Sequence, residues 1–466
     1  MDEKEIKELK EKLFFKSKNV YDNLSESELA EMEDYSKGYI RFIDACRIER
    51  EAVAYSIADA EKKGYVEYNF GDKIEKGGKY YLNNRGKSVA FFRVGKKPIT
   101  EGVRIAAAHI DSPRLDLKQH PLYENTGIAY FKTHYYGGIK KYQWTTVPLS
   151  LHGVLVKADG EVINVNIGDD DGDPVFYISD LLIHLARNQM GKTLASGVEG
   201  EQLNIMLGSA PLPGADKDVG ERVKLGVMKL LYDKYGVTEA DFVTSELTMT
   251  PAMKAREVGF DRSMIAAYGH DDRVCAYPAY TALLDAESED NTVMIVLADK
   301  EEIGSEGVTG MQCRVYMDII DELAKAFRAD PAKVRANSMC LSADVNAGFD
   351  PNWPDVHEKM NACFLNEGVV LTKFTGSGGK GGTSDASGEF VGKVAKIFND
   401  GGVIWQTGEL GKVDQGGGGT VAMYIANNNI DTVDLGVPVL SMHSPYELIA
   451  KADLYETYRA ISAFIK

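Results

Sequence analysis

Histidine is scarce in this chain, at eight in 466 residues, and cysteine is scarcer still, at five. The cysteines (Cys46, Cys275, Cys313, Cys340, Cys363) are odd in number and show no CxxC spacing. That excludes a disulfide framework and a thiolate zinc module, and reads as small buried hydrophobes in a reducing cytosol. No apolar run approaches a membrane span, and the opening MDEKEIKELKEKLFF is charged from its second residue, without an apolar leader core. A cytoplasmic protein with no membrane partner is expected. Positive charge is in deficit: 53 Lys and Arg against 70 Asp and Glu give −17, with no basic stripe, so no nucleic-acid partner is expected. No serine lies in a GxSxG elbow, which removes support for a serine hydrolase. The glycine-rich Gly376–Ser384 is not a phosphate loop, because Phe374 stands where GxxxxGK[ST] needs its first glycine. It reads instead as an active-site loop, and Gly416–Gly419 as backbone passing close to a neighbour. No repeat of fixed period is found.

What is present is the composition of a globular protein, 44% hydrophobic and 26% charged, and a length that calls for two domains. Residues 1–64 read as helical: Ile6, Leu9 and Leu13 recur at helical spacing, and Ser25 to Glu28 forms a capping-box pattern before Leu29. Strands are expected between Tyr65 and Arg93, then a change of texture at 118–245, with strand-like runs Val154–Val156 and Val162–Ile167. From about 250 the pattern becomes strand, loop, helix, repeated, ending in a long amphipathic helix over Tyr446–Ile465. The expected fold is α/β, a mixed sheet sandwiched by helices. Residues 1–117 and 246–466 form the main domain, and 118–245 are an inserted β-rich domain. The insertion follows from function: ligands on either side must meet, and a structureless loop of that length does not fit a compact site.

Five segments place a metal-type ligand directly after strand-like residues: VRIAAAHID (103–111), YGHDDR (268–273), NTVMIVLADKEEIG (291–304), SMCLSAD (338–344) and VDLGVPVLSMHSP (433–445). In open α/β sheets, ligands gather at the carboxyl ends of strands. His109 precedes Asp111 by two, so in extended backbone the two face one way and Asp111 can accept the second ring N–H. Asp271 is placed to bridge two cations, with Asp272 as supporting or capping neighbour. Of Glu301 and Glu302, one can ligate while the other takes a proton from water. Asp344 and His443 each end a further strand. This donor set without thiolate suits two divalent ions, zinc first, with cobalt or manganese as alternatives.

Read together, Ala108–Arg114, Asp271 after Gly-His, Asp299–Ser305, Leu341–Asp344 and Ser441–Pro445 resemble the aspartyl aminopeptidase family, family eighteen of the metallopeptidases. Trp144 with Pro148–Gly153 resembles the family's inserted domain, and the likeness runs nearly the whole chain. The resemblance implies a zinc-exopeptidase-like fold, a co-catalytic metalloaminopeptidase acting on peptides, and self-assembly into dodecamers. It implies His109, Asp271, Glu302, Asp344 and His443 as metal ligands, Glu301 as general base, Asp111 as the residue orienting His109, and Lys373 as a binder of acidic substrate side chains. Two positions depart from the family pattern, Ala347 and Asp180, each standing where a histidine is expected. The alternatives are a co-catalytic deacylase and a structural assembly with incidental peptidase activity.

Overall fold

The computed structural model describes residues 1–288 and 290–466. Its centre is the run Thr292–Ala298, seven buried residues without a charge. Side chains alternate along a strand, and here they alternate between two cores. Val293, Ile295 and Leu297 face one cluster, Met294, Val296 and Ala298 the other. The neighbouring strand Val103–His109 divides in the same way, with Ala106 and Ala108 on the first face and Ile105 and Ala107 on the second. A sheet buried on both faces needs helices on both, as the uncharged strand foretells.

Nine strands make this sheet, in the order Val66–Glu67, Lys79–Asn84, Ser88–Arg93, Thr292–Ala298, Val103–His109, Met339–Ala343, Asp431–Gly436, Val369–Thr372, Trp405–Thr407. The four from Thr292–Ala298 to Asp431–Gly436 run parallel, with Ala298 opposite His109. Helices Glu26–Ala45, His270–Asp285, Gly388–Asp400 and Lys451–Ile465 cover the first face through residues such as Phe42, Tyr280, Phe398 and Phe464. Val315–Ala326 covers the second through Ile319, Ile320 and Leu323.

A second, six-stranded sheet carries the β-rich unit: Val162–Ile167, Leu149–Val156, Glu246–Pro251, Arg114–Asn125, Ile128–Tyr136 and Ile205–Gly208. It has its own core, centred on Trp144, Phe131 and Leu151. Every pairing within it is antiparallel. A third sheet of five short strands includes Met264–Ala267 paired antiparallel with Glu447–Ala450.

The capping box forms as read, with Ser25 and Glu28 satisfying each other's backbone amides. The first helix, Glu3–Leu13, forms but buries no residue. The last helix departs from expectation. It begins at Lys451, because Glu447–Ala450 pairs as a strand and the Glu447 carboxylate turns inward. Among the described residues, no helix is long and apolar enough to cross a membrane.

Candidate metal centre and active site

Three of the parallel strands bring Glu302, His109 and Asp344 to one edge, while Asp271 follows Met264–Ala267 and His443 follows Pro438–Leu440 of the five-stranded sheet. There the side chains fall into two trios that share Asp271. His109, Asp271 and Asp344 form the first, and Asp271, Glu302 and His443 the second; within each, the donor atoms lie within 4.8 Å of one another. Nε2 of His109 is 3.1 Å from Oδ1 of Asp271 and 3.8 Å from Oδ1 of Asp344. Nε2 of His443 is 3.1 Å from the other Asp271 oxygen and 3.4 Å from Oε1 of Glu302. One carboxylate thus faces an imidazole with each of its oxygens.

The imidazoles are oriented from behind. Nδ1 of His443 lies 2.7 Å from the carbonyl of Gly138, which directs Nε2 into its trio. Nδ1 of His109 is 3.0 Å from the backbone carbonyl of Asp111 and 3.3 Å from its carboxylate. The carbonyl is therefore the nearer acceptor. The Asp111 carboxylate is shared more widely: it accepts from the amides of Glu301 (3.1 Å) and Glu302 (3.2 Å) and from the Tyr136 hydroxyl (2.8 Å).

Asp271 and Asp272 have non-helical backbone at the start of their helix. No side chain caps that helix; Asp272 instead accepts the amide of His109 at 3.3 Å, so its role is support, not capping. Glu447, absent from the sequence reading, accepts the amides of Asp271 (3.0 Å) and His443 (2.6 Å) with its two oxygens. His443 sits at φ 64°, a left-handed conformation uncommon outside glycine, and the Glu447 bond helps hold it there.

Burial of so many carboxylates sets the electrostatics. It pushes Glu302 well above the usual carboxylate range, with Asp271 adding, and pushes Glu301 up to about 8, with Asp344, Asp111 and Asp271 adding. Burial also opposes ionisation of Asp271, but His109 and His443 outweigh it and hold that carboxyl low. For His109, burial favours the neutral ring, yet Asp111, Asp271 and Asp344 raise it well above its ordinary value. Oε1 of Glu302 is buried and has no hydrogen-bond partner among the described residues. A buried acceptor of this kind within a mixed His/carboxylate trio fits a divalent cation, whose charge reverses the local cost. The donors suit zinc.

Glu301 belongs to neither trio. It lines a cavity of about 330 Å³ with Gly381, Gly382, Gly418, Gly419, Met423 and Tyr424. The two glycine-rich segments meet there: a Cβ on Gly417 would lie 1.9 Å from the carbonyl oxygen of Gly376. The expected close backbone approach is real. Larger clefts of about 630 and 550 Å³ contain none of the trio residues, the second being lined in part by Asp180.

Lys373 is not brought to this centre by any hydrogen bond or ion pair among the described residues. Its ammonium pairs with Asp385, which also takes Lys380 at 3.1 Å. Ala347 lies in a two-residue strand where its carbonyl accepts from the Cys363 thiol.

Comparison with known proteins places the whole chain beside one family. The family model described as aminopeptidase I zinc metalloprotease (M18) matches residues 42–465. A probable M18 family aminopeptidase 1 of Clostridium acetobutylicum is 48% identical over 456 residues, covering 96% of this chain and 98% of that protein. The crystal structure of an M18-family aminopeptidase from Thermotoga maritima superposes with a TM-score of 0.92 at 44% identity, covering 97% of this chain and all of that one. The S. cerevisiae mApe1 dodecamer, 24% identical with a TM-score of 0.76 and covering 93% and 97% of the two chains, shares the fold.

Proposed function

The chain belongs to the aminopeptidase I zinc metalloprotease (M18) family and is a zinc aminopeptidase; we propose that it works with two metal ions, one in each trio around Asp271. The observation that carries this reading is the shared carboxylate, each of whose oxygens faces a different histidine at 3.1 Å. His109 and Asp344 complete one site, Glu302 and His443 the other. When bound, the ions supply Lewis acidity toward a water and toward the peptide carbonyl.

The remaining chemistry falls to the chain's own residues. Glu301, outside both trios and lining the cavity, is the general base. Its carboxylate accepts the proton of the attacking water and returns it to the departing amine. Asp111 places it, since the Asp111 oxygens hold the amides of Glu301 and Glu302 while the same residue meets the His109 ring.

Release of acidic N-terminal residues would rest on Lys373. Asp385 already pairs with that ammonium, so an acidic side chain has to displace it. Beside Glu301 the cavity is lined by glycines, Ser305, Ser377, Thr420, Met423 and Tyr424, without a cationic side chain, which favours a neutral substrate side chain over an acidic one. Hydrolysis by the metal-reconstituted protein of Asp, Glu, Leu, Ala and Lys substrates, each with free and blocked amine, tests both points. Cleavage confined to blocked substrates would replace the aminopeptidase reading with the deacylase.

We also infer that residues 118–245 act as an inserted unit in self-assembly. Supporting this are the exposed apolar residues Leu181, Leu182, Ile183 and Leu185 and the dodecamer of the yeast protein. Sedimentation of the intact chain reads the oligomer directly, and a monomer at micromolar concentration overturns the inference.

A further inference from the structure

The six-stranded sheet meets the metal centre at the end of its strand Ile128–Tyr136 and the two glycines that follow. Tyr136 is buried, and its hydroxyl donates to Oδ2 of Asp111 at 2.8 Å. Its ring is clamped by the Arg114 guanidinium, 4.0 Å from the ring centroid, and Arg114 is itself held by Glu49 and Asp116, each at 2.9 Å. Two residues on, the Gly138 carbonyl faces Nδ1 of His443. Between them, Gly137 has φ 74°, and a Cβ there would stand 3.1 Å from Oε2 of Glu302.

We propose that Tyr136-Gly137-Gly138 is a positioning clasp through which the β-rich unit sets the geometry of both metal trios. Tyr136 acts on the first trio through Asp111, which lies against the His109 ring. Gly138 acts on the second by fixing the tautomer of His443. Gly137 is the contact that lets this backbone lie against Glu302: a Cβ there would push Glu302 aside by a few tenths of an ångström, and its conformation is one that side-chain-bearing residues rarely adopt. The clasp explains how a sheet with its own separate core contributes to a site whose ligands all come from elsewhere. Outer partners of metal-bound histidines and carboxylates govern affinity as well as orientation. Metal binding is therefore expected to depend on this unit. The inference rests on the two-ion reading above.

The test is zinc titration of the full chain, stripped of metal and set against a chromophoric chelator, for wild type, Tyr136→Phe and Gly137→Ala. Tyr136→Phe keeps the ring and its stacking and deletes only the hydroxyl. Its affinity for one ion is expected to weaken by about 10- to 100-fold, with hydrolysis restored at saturating zinc. Structural damage alone would not be repaired by added metal. Gly137→Ala presses on Glu302 and is expected to weaken the other ion by a similar factor. Affinities within about twofold of wild type in both variants would overturn the clasp. If Tyr136→Phe does not fold, the Gly137→Ala titration decides by the same criterion. A wild-type stoichiometry of one ion would instead defeat the two-ion reading, and the clasp is then judged on the ion that remains.

Discussion

Glu447 lies 176 residues from Asp271 along the chain, yet its Oε2 accepts the Asp271 amide hydrogen at 3.0 Å. Its other oxygen takes the amide of His443. One buried carboxylate thus sets the backbone of the shared ligand and of a terminal ligand together.

Glu447→Gln leaves one acceptor where two amides need them and turns an N–H₂ group toward the second. Leaving a buried amide unpaired costs about 1–3 kcal/mol. Zinc affinity is expected to fall about 10-fold. Denaturant melts and chelator competition measure the two effects, and unchanged values in both would show that Glu447 does not hold these ligands.

Glu301→Gln keeps the side-chain volume and removes the base. Activity is expected to drop by at least ~100-fold, with zinc content and assembly retained. Turnover at the wild-type rate, in a preparation free of wild-type protein, would remove Glu301 from the mechanism.

His443→Ala deletes a donor from the trio of Asp271 and Glu302 only. Elemental analysis is expected to show one ion retained and the other lost. Two ions per chain after dialysis would count against ligation by His443.

Chelator treatment is expected to abolish hydrolysis and stoichiometric zinc to restore it. Running cobalt and manganese in parallel establishes which ions the donor set accepts. Full activity after complete metal removal would contradict the role given to both trios.

Asp434, which is not itself a ligand, provides a pH test. Burial raises its carboxyl to about 7, against partly compensating hydrogen bonds from Thr420 at 2.7 Å and from Ser342, with the Asp344 charge adding to the rise. The folded state therefore binds the proton more tightly than the unfolded chain, whose value is near ~4. The resulting contribution to stability is complete below that value and is lost as pH rises toward 7. Asp434→Asn removes the titration, so the variant's stability relative to wild type should rise between pH 5 and pH 8, by an amount of the order of 1–4 kcal/mol. A pH-independent difference would refute the assignment.

Much of the centre could be read without coordinates because its ligands carry a local signature. His109, Asp344 and the Glu301–Glu302 pair each end or follow a largely apolar strand, and parallel strands in a sheet buried on both faces end at one edge. Strand identity and the edge location follow from hydrophobic patterning alone, which is a property of neighbours in sequence. Which ligands share a trio is a matter of register, and the pairing that sets Ala298 against His109 exists only once the sheet is assembled. Glu447 looked like the start of a helix because its charge fits an amphipathic pattern; pairing with Met264–Ala267 turned it inward. Lys373 offered a free cation until folding brought Asp385 to it. Tyr136 and Gly138 had no signature at all: a tyrosine ending a strand and a glycine after it are ordinary. Their meaning comes from contacts with residues as distant as His443, 305 positions away. Local periodicity was written in the chain, whereas the supports of the site depend on long-range contacts that only the closed fold creates.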